Sequence, residues 1–535
     1  MFPTVVKTIG VSEDEISNGR TEDSLLSSRT SNESVNSENK KSKCYETRTE
    51  EKNGHNIFLL SAVFFLFFAT AIIIYPPYDF LMSLRIRMTP GLPPYEWWLN
   101  PPDEVIFKLY IFNVTNSEEF MNGTDSKIKV KEIGPITYRE KLIHTFPVFN
   151  DNGTFTYTAN RTPIYLPEMN PIDFRNETII MPNMAVLFIP SYFYDAPFLV
   201  KFGINLMMRK LQSNPFVKTT IQDFLWNSSD PILDLSQNLA PRLVPTKNVG
   251  ILARIYADYT DNVTVNIGPT FEERNFFLID NYDGSKFLPF RAGKCEDTVQ
   301  GSSEGVSYPQ NLRKNDTIRY FRKTLCKVAE LNFREEVNKY GVTAYKYVMD
   351  PLSYSRTSPK YKDCYKGQPT LPNGLIDVSP CYYDTAIGAS FPHFLYGDEE
   401  LSHHVDGLEP DKEKHESYVI IEPRTGVPLN GAARSQINLV VKNMNGFNDK
   451  VKKFSNLSIP LVWIEYIQMG IPWYIQALVY SQVIIMPVLQ IIFSIVLFIG
   501  GIILIFLFFR KRRTSKSNLI ANRAIKFEAE KFLKP

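Results

Sequence analysis

Three groups of residues in this 535-residue chain have types and spacings that invite chemistry. Gly301-Ser302-Ser303-Glu304-Gly305 fits the G-x-S-x-G pattern of a hydrolase nucleophile. That chemistry needs a strand running into the serine and a helix leaving it, so that a strained turn presents the hydroxyl beside an oxyanion hole. The approach here is Lys294-Cys295-Glu296-Asp297-Thr298 and the exit Val306-Ser307-Tyr308-Pro309, neither of which qualifies. His393, His403, His404 and His415 stand among Asp398, Glu399, Glu400 and Asp406, types that ligate metals. No H-x-E-x-H-type spacing on a helix accompanies them, so structural histidines are expected and no metal site. A glycine-rich phosphate loop is missing too, which excludes a transport ATPase. The expectation is a protein that is not an enzyme and needs no cofactor.

Sulfur and amide chemistry say more. Of five cysteines, Cys295, Cys326, Cys364 and Cys381 fall within 87 residues. An even, clustered set reads as two disulfides in an oxidising compartment, with three connectivities open. Cys44 stands apart and reads as either a free thiol or an S-palmitoylation site. Of ten Asn-x-Ser/Thr sequons, one (Asn32) is near the N-terminus and nine, at Asn113, Asn122, Asn152, Asn160, Asn176, Asn227, Asn262, Asn315 and Asn456, fall in the middle of the chain and suit a glycosylated surface outside the cytosol.

The elements that must carry these groups are set by two uncharged apolar stretches. Ile57–Tyr75 is one; the other lies within Tyr466–Phe509 and is most lipid-like from Met486. About 20 apolar residues in a helix span a hydrocarbon core of roughly 30 Å. The expected plan is a cytoplasmic N-tail (1–56), a first crossing (57–75), an ectodomain (76–485), a second crossing (486–509) and a cytoplasmic C-tail (510–535). Arg510, Lys511, Arg512 and Arg513 directly after the second stretch place that flank in the cytoplasm. The N-tail is rich in Ser, Asn, Glu and Lys and reads as disordered. The formal net charge of +2 divides into −2 for the N-tail, −3 for residues 57–509 and +7 for the C-tail. The basic excess thus faces an anionic leaflet, and nothing argues for nucleic acid.

Between the crossings the pattern is mostly β. Lys108–Val114 is β-branched and aromatic; Asn152-Gly153 and Asp283-Gly284 sit between apolar runs as two-residue hairpin signals. Tyr418–Ile421, then Pro423-Arg424-Thr425-Gly426, then Gln436–Lys442 reads as strand, turn and strand. Helical spacing is confined to Ala196–Leu211 and a short piece at Thr220–Trp226, and 36 prolines oppose a long-helix architecture. A single large antiparallel β domain decorated with short helices is expected.

Several ordered motifs then carry a specific resemblance. They are Phe112-Asn113-Val114-Thr115-Asn116, Glu132-Ile133-Gly134-Pro135-Ile136-Thr137-Tyr138-Arg139-Glu140, Ser390-Phe391-Pro392-His393-Phe394-Leu395-Tyr396, Asp406-Gly407-Leu408-Glu409-Pro410 and Ile421-Glu422-Pro423-Arg424-Thr425-Gly426. Together, from about Pro76 to Phe509, the chain resembles the class B scavenger receptor family. The resemblance implies an α+β architecture: a large antiparallel β-barrel, a membrane-distal helical bundle, an internal apolar tunnel and two transmembrane helices. It implies binding of lipids, lipoproteins or lipid-loaded particles, with lipid uptake or transfer through the tunnel. A sorting or adhesion receptor for a protein cargo is the alternative, and a sensory co-receptor for lipophilic ligands a third reading. Location at the plasma membrane or in the lysosomal or endosomal membrane, and self-association, are both left open. By the same resemblance Phe198–Gln212 corresponds to the apical helix, and Lys210, with Arg209, Lys201 and Lys218, to a cationic ligand-binding cap. A second lysine of the family pattern is replaced by Gln212. The implied disulfides are Cys295–Cys364 and Cys326–Cys381.

Overall fold

The computed structural model describes residues 56–532, except 78, 81–87, 102–104, 240, 242–243, 245, 258–261, 268–272, 289–296, 356–363 and 383. The described residues of Tyr75–Ile491 form one compact unit; residues 56–74 and 492–532 form a second.

In the larger unit, sixteen strands follow one another among the described residues. They are β1 (Val105–Val114), β2 (Ile128–Phe149), β3 (Thr154–Tyr165), β4 (Thr178–Pro182), β5 (Phe216–Thr220), β6 (Asn262–Asn266), β7 (Ile279–Tyr282) and β8 (Ile318–Arg322). After these come β9 (Lys327–Lys339), β10 (Val342–Met349), β11 (Ile376–Asp377), β12 (Ile387–Ser390), β13 (Val405–Asp406), β14 (Tyr418–Glu422), β15 (Val427–Val440) and β16 (Ser458–Gln468). The main sheet runs β7-β6-β3-β2-β1-β16-β15-β14-β10-β9-β8. Its pairings along that path are all antiparallel.

The two ends of this path meet. Gly301 donates its N–H to the Ile279 carbonyl of β7, and Ile279 donates back to Ser302. One residue on, Ser303 donates to Arg319 of β8 and accepts from Phe321. Residues 301–303 therefore pair with both edges and close the sheet into a barrel, which removes the edge strands that would otherwise invite aggregation. The serine motif is this strap. Ser302 is fully buried with its hydroxyl on the Val299 carbonyl, and the Ser303 hydroxyl is spent on Ser307.

Turn chemistry sets the local geometry. The β2–β3 hairpin turns through a four-residue loop, 150–153, longer than the expected two, with Gly153 at φ +76°. Asp283 (φ +48°) and Gly284 (+75°) form the expected two-residue turn, but it is closed by a single bridge, Tyr282 to Ser285, and among the described residues no strand directly follows it. The strand after Pro423-Arg424-Thr425-Gly426 begins at once, at Val427, and is longer than Gln436–Lys442. Gly426 is required there: at φ +68°, a Cβ would sit 2.1 Å from the Tyr308 carbonyl oxygen. Gly134 answers to the same constraint. It lies opposite the register shift between Leu109 and Ile111, and a Cβ would come within 2.6 Å of the Leu109 carbonyl.

Helices gather in the segment between β4 and β6. Met184–Tyr192, Phe198–Lys210, Pro231–Leu239 and Ile251–Tyr256 bury Val186, Leu187, Ile204, Met208, Leu233 and Leu252 in one core with β1, β2 and β16. Met184–Tyr192 carries Pro190 inside it and is buried on nearly every side, so neither composition nor periodicity marks it as helical. Cys326 and Cys381 are joined, with Cα atoms 6.0 Å apart. Cys364 is also disulfide-bonded. The partner expected for it, Cys295, lies outside the described residues, as does Cys44.

Asn56–Ile74 forms a helix in the smaller unit, and the second apolar stretch belongs to a helix spanning Trp473–Ala529 and beyond, of which only the part from Ile492 on lies in that unit. That helix starts before the apolar stretch and runs on through the basic flank. Ala62 and Ala69 are fully buried, and Gly500 and Gly501 face Phe65 and Leu66. A Cβ on Gly501 would meet Leu66 at 2.8 Å. Small residues let the two helices approach closely, the device that drives helix pairing in lipid.

Candidate functional site

The barrel wall surrounds a half-open, mostly apolar cavity of about 540 Å³. Trp97 and Trp98 reach it from the segment before β1, Phe276 and Phe277 from the approach to β7, and Leu331, Met349 and Val419 from β9, β10 and β14. Ile475, Leu478 and Val479 close another side with the first turns of the final helix. Inward residues alternate along each strand, so neighbouring strands present apolar side chains at matching heights. A second, smaller cavity, about 60 Å³, lies among Met184, Phe188, Ile251, Ile255, Ile437 and Leu439, with Arg254 and Tyr382 in its wall.

A buried ionic cluster stands by the larger cavity. Glu140 of β2, 3% exposed, accepts from Arg161 of β3 at 2.8 Å and from Arg322 of β8 at 2.5 Å. The Tyr256 hydroxyl donates to the same carboxylate at 2.8 Å. Arg322 also lies over the ring of Tyr466, its guanidinium carbon 3.6 Å from the centroid. Burial pushes the Glu140 carboxyl up, but Arg322 and Arg161 outweigh it and hold the group below the usual carboxylate range. Arg161, Arg322 and Tyr466 all line the large cavity. Sequence reading did not single out this cluster. Glu140 closes one quoted motif, but Arg322 is 182 residues away and no local signal joins them.

His144 is buried against the Trp98 indole, rings 4.4 Å apart, and donates Nδ1–H to the Trp98 carbonyl. Burial drives its pKa down to about 3. His393 and His415 stack at 4.4 Å. Each Nδ1 accepts a backbone N–H, from Glu409 and Asp411, and His393 Nε2 bonds Glu132, which Trp463 also bonds. These rings tie loops to strands, which is a structural use. Burial and then the neighbouring His393 lower His415 to about 4. His403 and His404 are exposed.

The four expected ligand cations divide. Arg209 and Lys210 are exposed at the C-terminal end of Phe198–Lys210, and Lys218 is exposed on β5. Lys201 is engaged: its ammonium donates to the Asn445 carbonyl at 3.0 Å and lies 5.5 Å from the Phe447 ring centroid. Asn205 fastens the same helix to Gly446 and Asn448. What the helix shows to solvent is largely apolar. Phe198, Leu199, Phe202 and Leu206 are 76%, 78%, 56% and 58% exposed.

Seven sequon asparagines are exposed: Asn122, Asn152, Asn176, Asn227, Asn262, Asn315 and Asn456. Asn113 and Asn160 are half-buried and spend their amides on Ile180 and Thr145.

Residues 57–511 match the model of the CD36 family. Lysosome membrane protein 2 of Rattus norvegicus is 30% identical over 364 residues, covering 67% of this chain and 73% of that protein. Scavenger receptor class B member 1 is 26% identical over 384 residues in Sus scrofa (71% and 73% covered) and over 429 in Mus musculus (79% and 82%).

Proposed function

The chain belongs to the CD36 family and is a membrane receptor of the scavenger type; from that premise we propose that it binds lipids or lipid-loaded particles and passes lipid through the barrel. The observation that carries this reading is the apolar cavity of about 540 Å³ inside the closed sheet. A lipid tail gains about 0.8 kcal/mol per CH₂ by staying out of water. A cavity walled by Trp98, Phe277, Leu331, Met349 and Val419 offers that environment, and diffusion down a concentration gradient then needs neither nucleotide nor cofactor. Lipid particles would be captured by Phe198–Lys210, whose apolar residues insert while Arg209 and Lys210 attract anionic lipid; Lys218 adds charge nearby. Both tails are cytosolic in this scheme. The receptor acts at the plasma membrane, or in the lysosomal membrane as the name of one relative suggests.

The test is photo-crosslinking with a diazirine-bearing fatty acid, alongside uptake of a fluorescent one in expressing cells. Labels on cavity residues such as Trp98 and Met349, with uptake above control cells, are expected. Labels confined to 57–75 and 486–509, with uptake equal to controls, overturn the passage. They would favour the second reading, a receptor for protein cargo. That reading draws on the same exposed apolar face of Phe198–Lys210, a surface that also suits a protein partner.

A further inference from the structure

We propose that Glu140, Arg161 and Arg322 form a gate between the two cavities that selects lipids by head group. There the carboxylate of a single-chain lipid replaces Glu140 as partner of the two guanidinium groups. The inference rests on the lipid-passage reading above and adds where the passage discriminates and by what chemistry.

Position is the first support. Arg161, Arg322 and Tyr466 line the large cavity, whereas Arg254 and Tyr382 line the small one. The Tyr382 hydroxyl donates to the Thr324 carbonyl at 2.7 Å, and Thr324 lines the large cavity two residues after Arg322, so the walls of the two cavities meet beside this cluster. Tyr256 adds a hydroxyl 2.8 Å from the Glu140 carboxylate and 3.4 Å from that of Tyr466. Apolar residues dominate both linings, and Arg161 and Arg322 bring two guanidinium groups to the wall beside this junction. A lipid moving from one cavity to the other along this wall meets the cluster.

Chemistry is the second. A buried ion pair is costly to split when nothing replaces the lost partner, because a desolvated charge is left behind. A methyl or steryl ester offers only neutral acceptors. A fatty carboxylate offers the group that Glu140 already supplies: two oxygens matched to the fork of a guanidinium, in a charge-assisted bond. A fatty acid that enters the apolar cavity in its neutral form hands its proton to Glu140 as it takes the two arginines, so both guanidinium groups stay paired and the displaced Glu140 is left neutral. The Arg322–Tyr466 stacking, 3.6 Å from guanidinium carbon to ring centroid, keeps the guanidinium in place while its partner changes. Glu140 belongs to β2, Arg161 to β3 and Arg322 to β8, so the exchange needs side-chain rotation only.

Binding of radiolabelled oleate and of methyl oleate to the purified full-length protein in detergent tests this without any mutation. The wild type should bind the acid about tenfold or more tightly, as one charge-assisted pair predicts. Glu140→Gln, which removes the resident competitor but keeps an amide acceptor, should tighten oleate several-fold and leave methyl oleate unchanged. Arg161→Lys keeps the charge but loses the fork, and should narrow the preference. Equal wild-type affinities, or a Glu140→Gln effect shared by both lipids, would overturn the gate while leaving lipid passage standing. Binding of neither probe would instead remove the lipid reading, and the gate with it.

Discussion

Arg209 and Lys210 end a helix with their charges in solvent, whereas Arg161 and Arg322 hold theirs inside the barrel on a carboxylate that is 3% exposed. The residue types are the same and the physics is opposite. A charge in water is screened over about 8–10 Å in physiological salt, so the exposed pair can steer a particle but adds little to stability. A charge in the wall keeps its full field, and losing its partner is expensive. Lys201 sits between these cases, on the exposed helix but spent on Asn445 and Phe447. Cationic character in the sequence therefore does not rank residues by function; desolvation does.

The sharpest way to break that contrast is Arg322→Met. It leaves Glu140 buried with one guanidinium fewer and should cost about 3–5 kcal/mol of stability, read by chemical denaturation of the purified protein. Replacing the whole cluster, with Glu140→Leu and Arg161→Met added, should recover much of the loss, because no unpaired buried charge is then left. A cost under about 1 kcal/mol for the single change would put Arg322 in the same class as Lys210.

Histidine extends the comparison to pH. His144 is buried with a pKa of about 3, against an ordinary value near 6.5 for the unfolded chain. A depressed folded pKa means that the unfolded state binds more protons between those values, so stability falls as pH drops. From pH 7 to pH 5 the loss assigned to His144 is about 2 kcal/mol, and His415, lowered to about 4, adds in the same direction. His144→Phe should start less stable at pH 7, having lost the bond to the Trp98 carbonyl, yet decline less on acidification. Melting temperatures at the two pH values check this; parallel declines would refute it.

On the exposed helix, Phe202→Asp should reduce binding of lipid particles by about tenfold, the scale of one buried aromatic anchor. Surface expression should stay unchanged, because the ring is 56% exposed. The smallest effect is expected for Lys210→Glu: a few-fold loss of binding to anionic vesicles, shrinking as salt rises. Equal losses at low and high salt would mean that Lys210 touches ligand directly.

Much of the architecture was legible before the fold. Ile57–Tyr75 announces itself because nineteen uncharged residues exceed what a soluble core helix needs. Asn152-Gly153 and Asp283-Gly284 mark turns because Gly153, Asp283 and Gly284 sit at positive φ, which few residues tolerate. The hidden elements share one property. Met184–Tyr192 has no periodicity to read, because it is buried almost all round and contains Pro190. Gly301–Gly305 fits a catalytic pattern, and only its two sets of strand partners reveal a strap.

The chain by itself determined its membrane crossings, the sites of its turns, its sequons and its family, since each depends on residues within a few positions of one another or on motifs in linear order. Tertiary structure alone decided which strands face the cavity, which of the basic residues are desolvated, and that Glu140 meets an arginine 182 residues away. A one-residue shift in strand register turns every side chain to the other face. Register is fixed by pairing across the whole barrel, and no local stretch of sequence contains it.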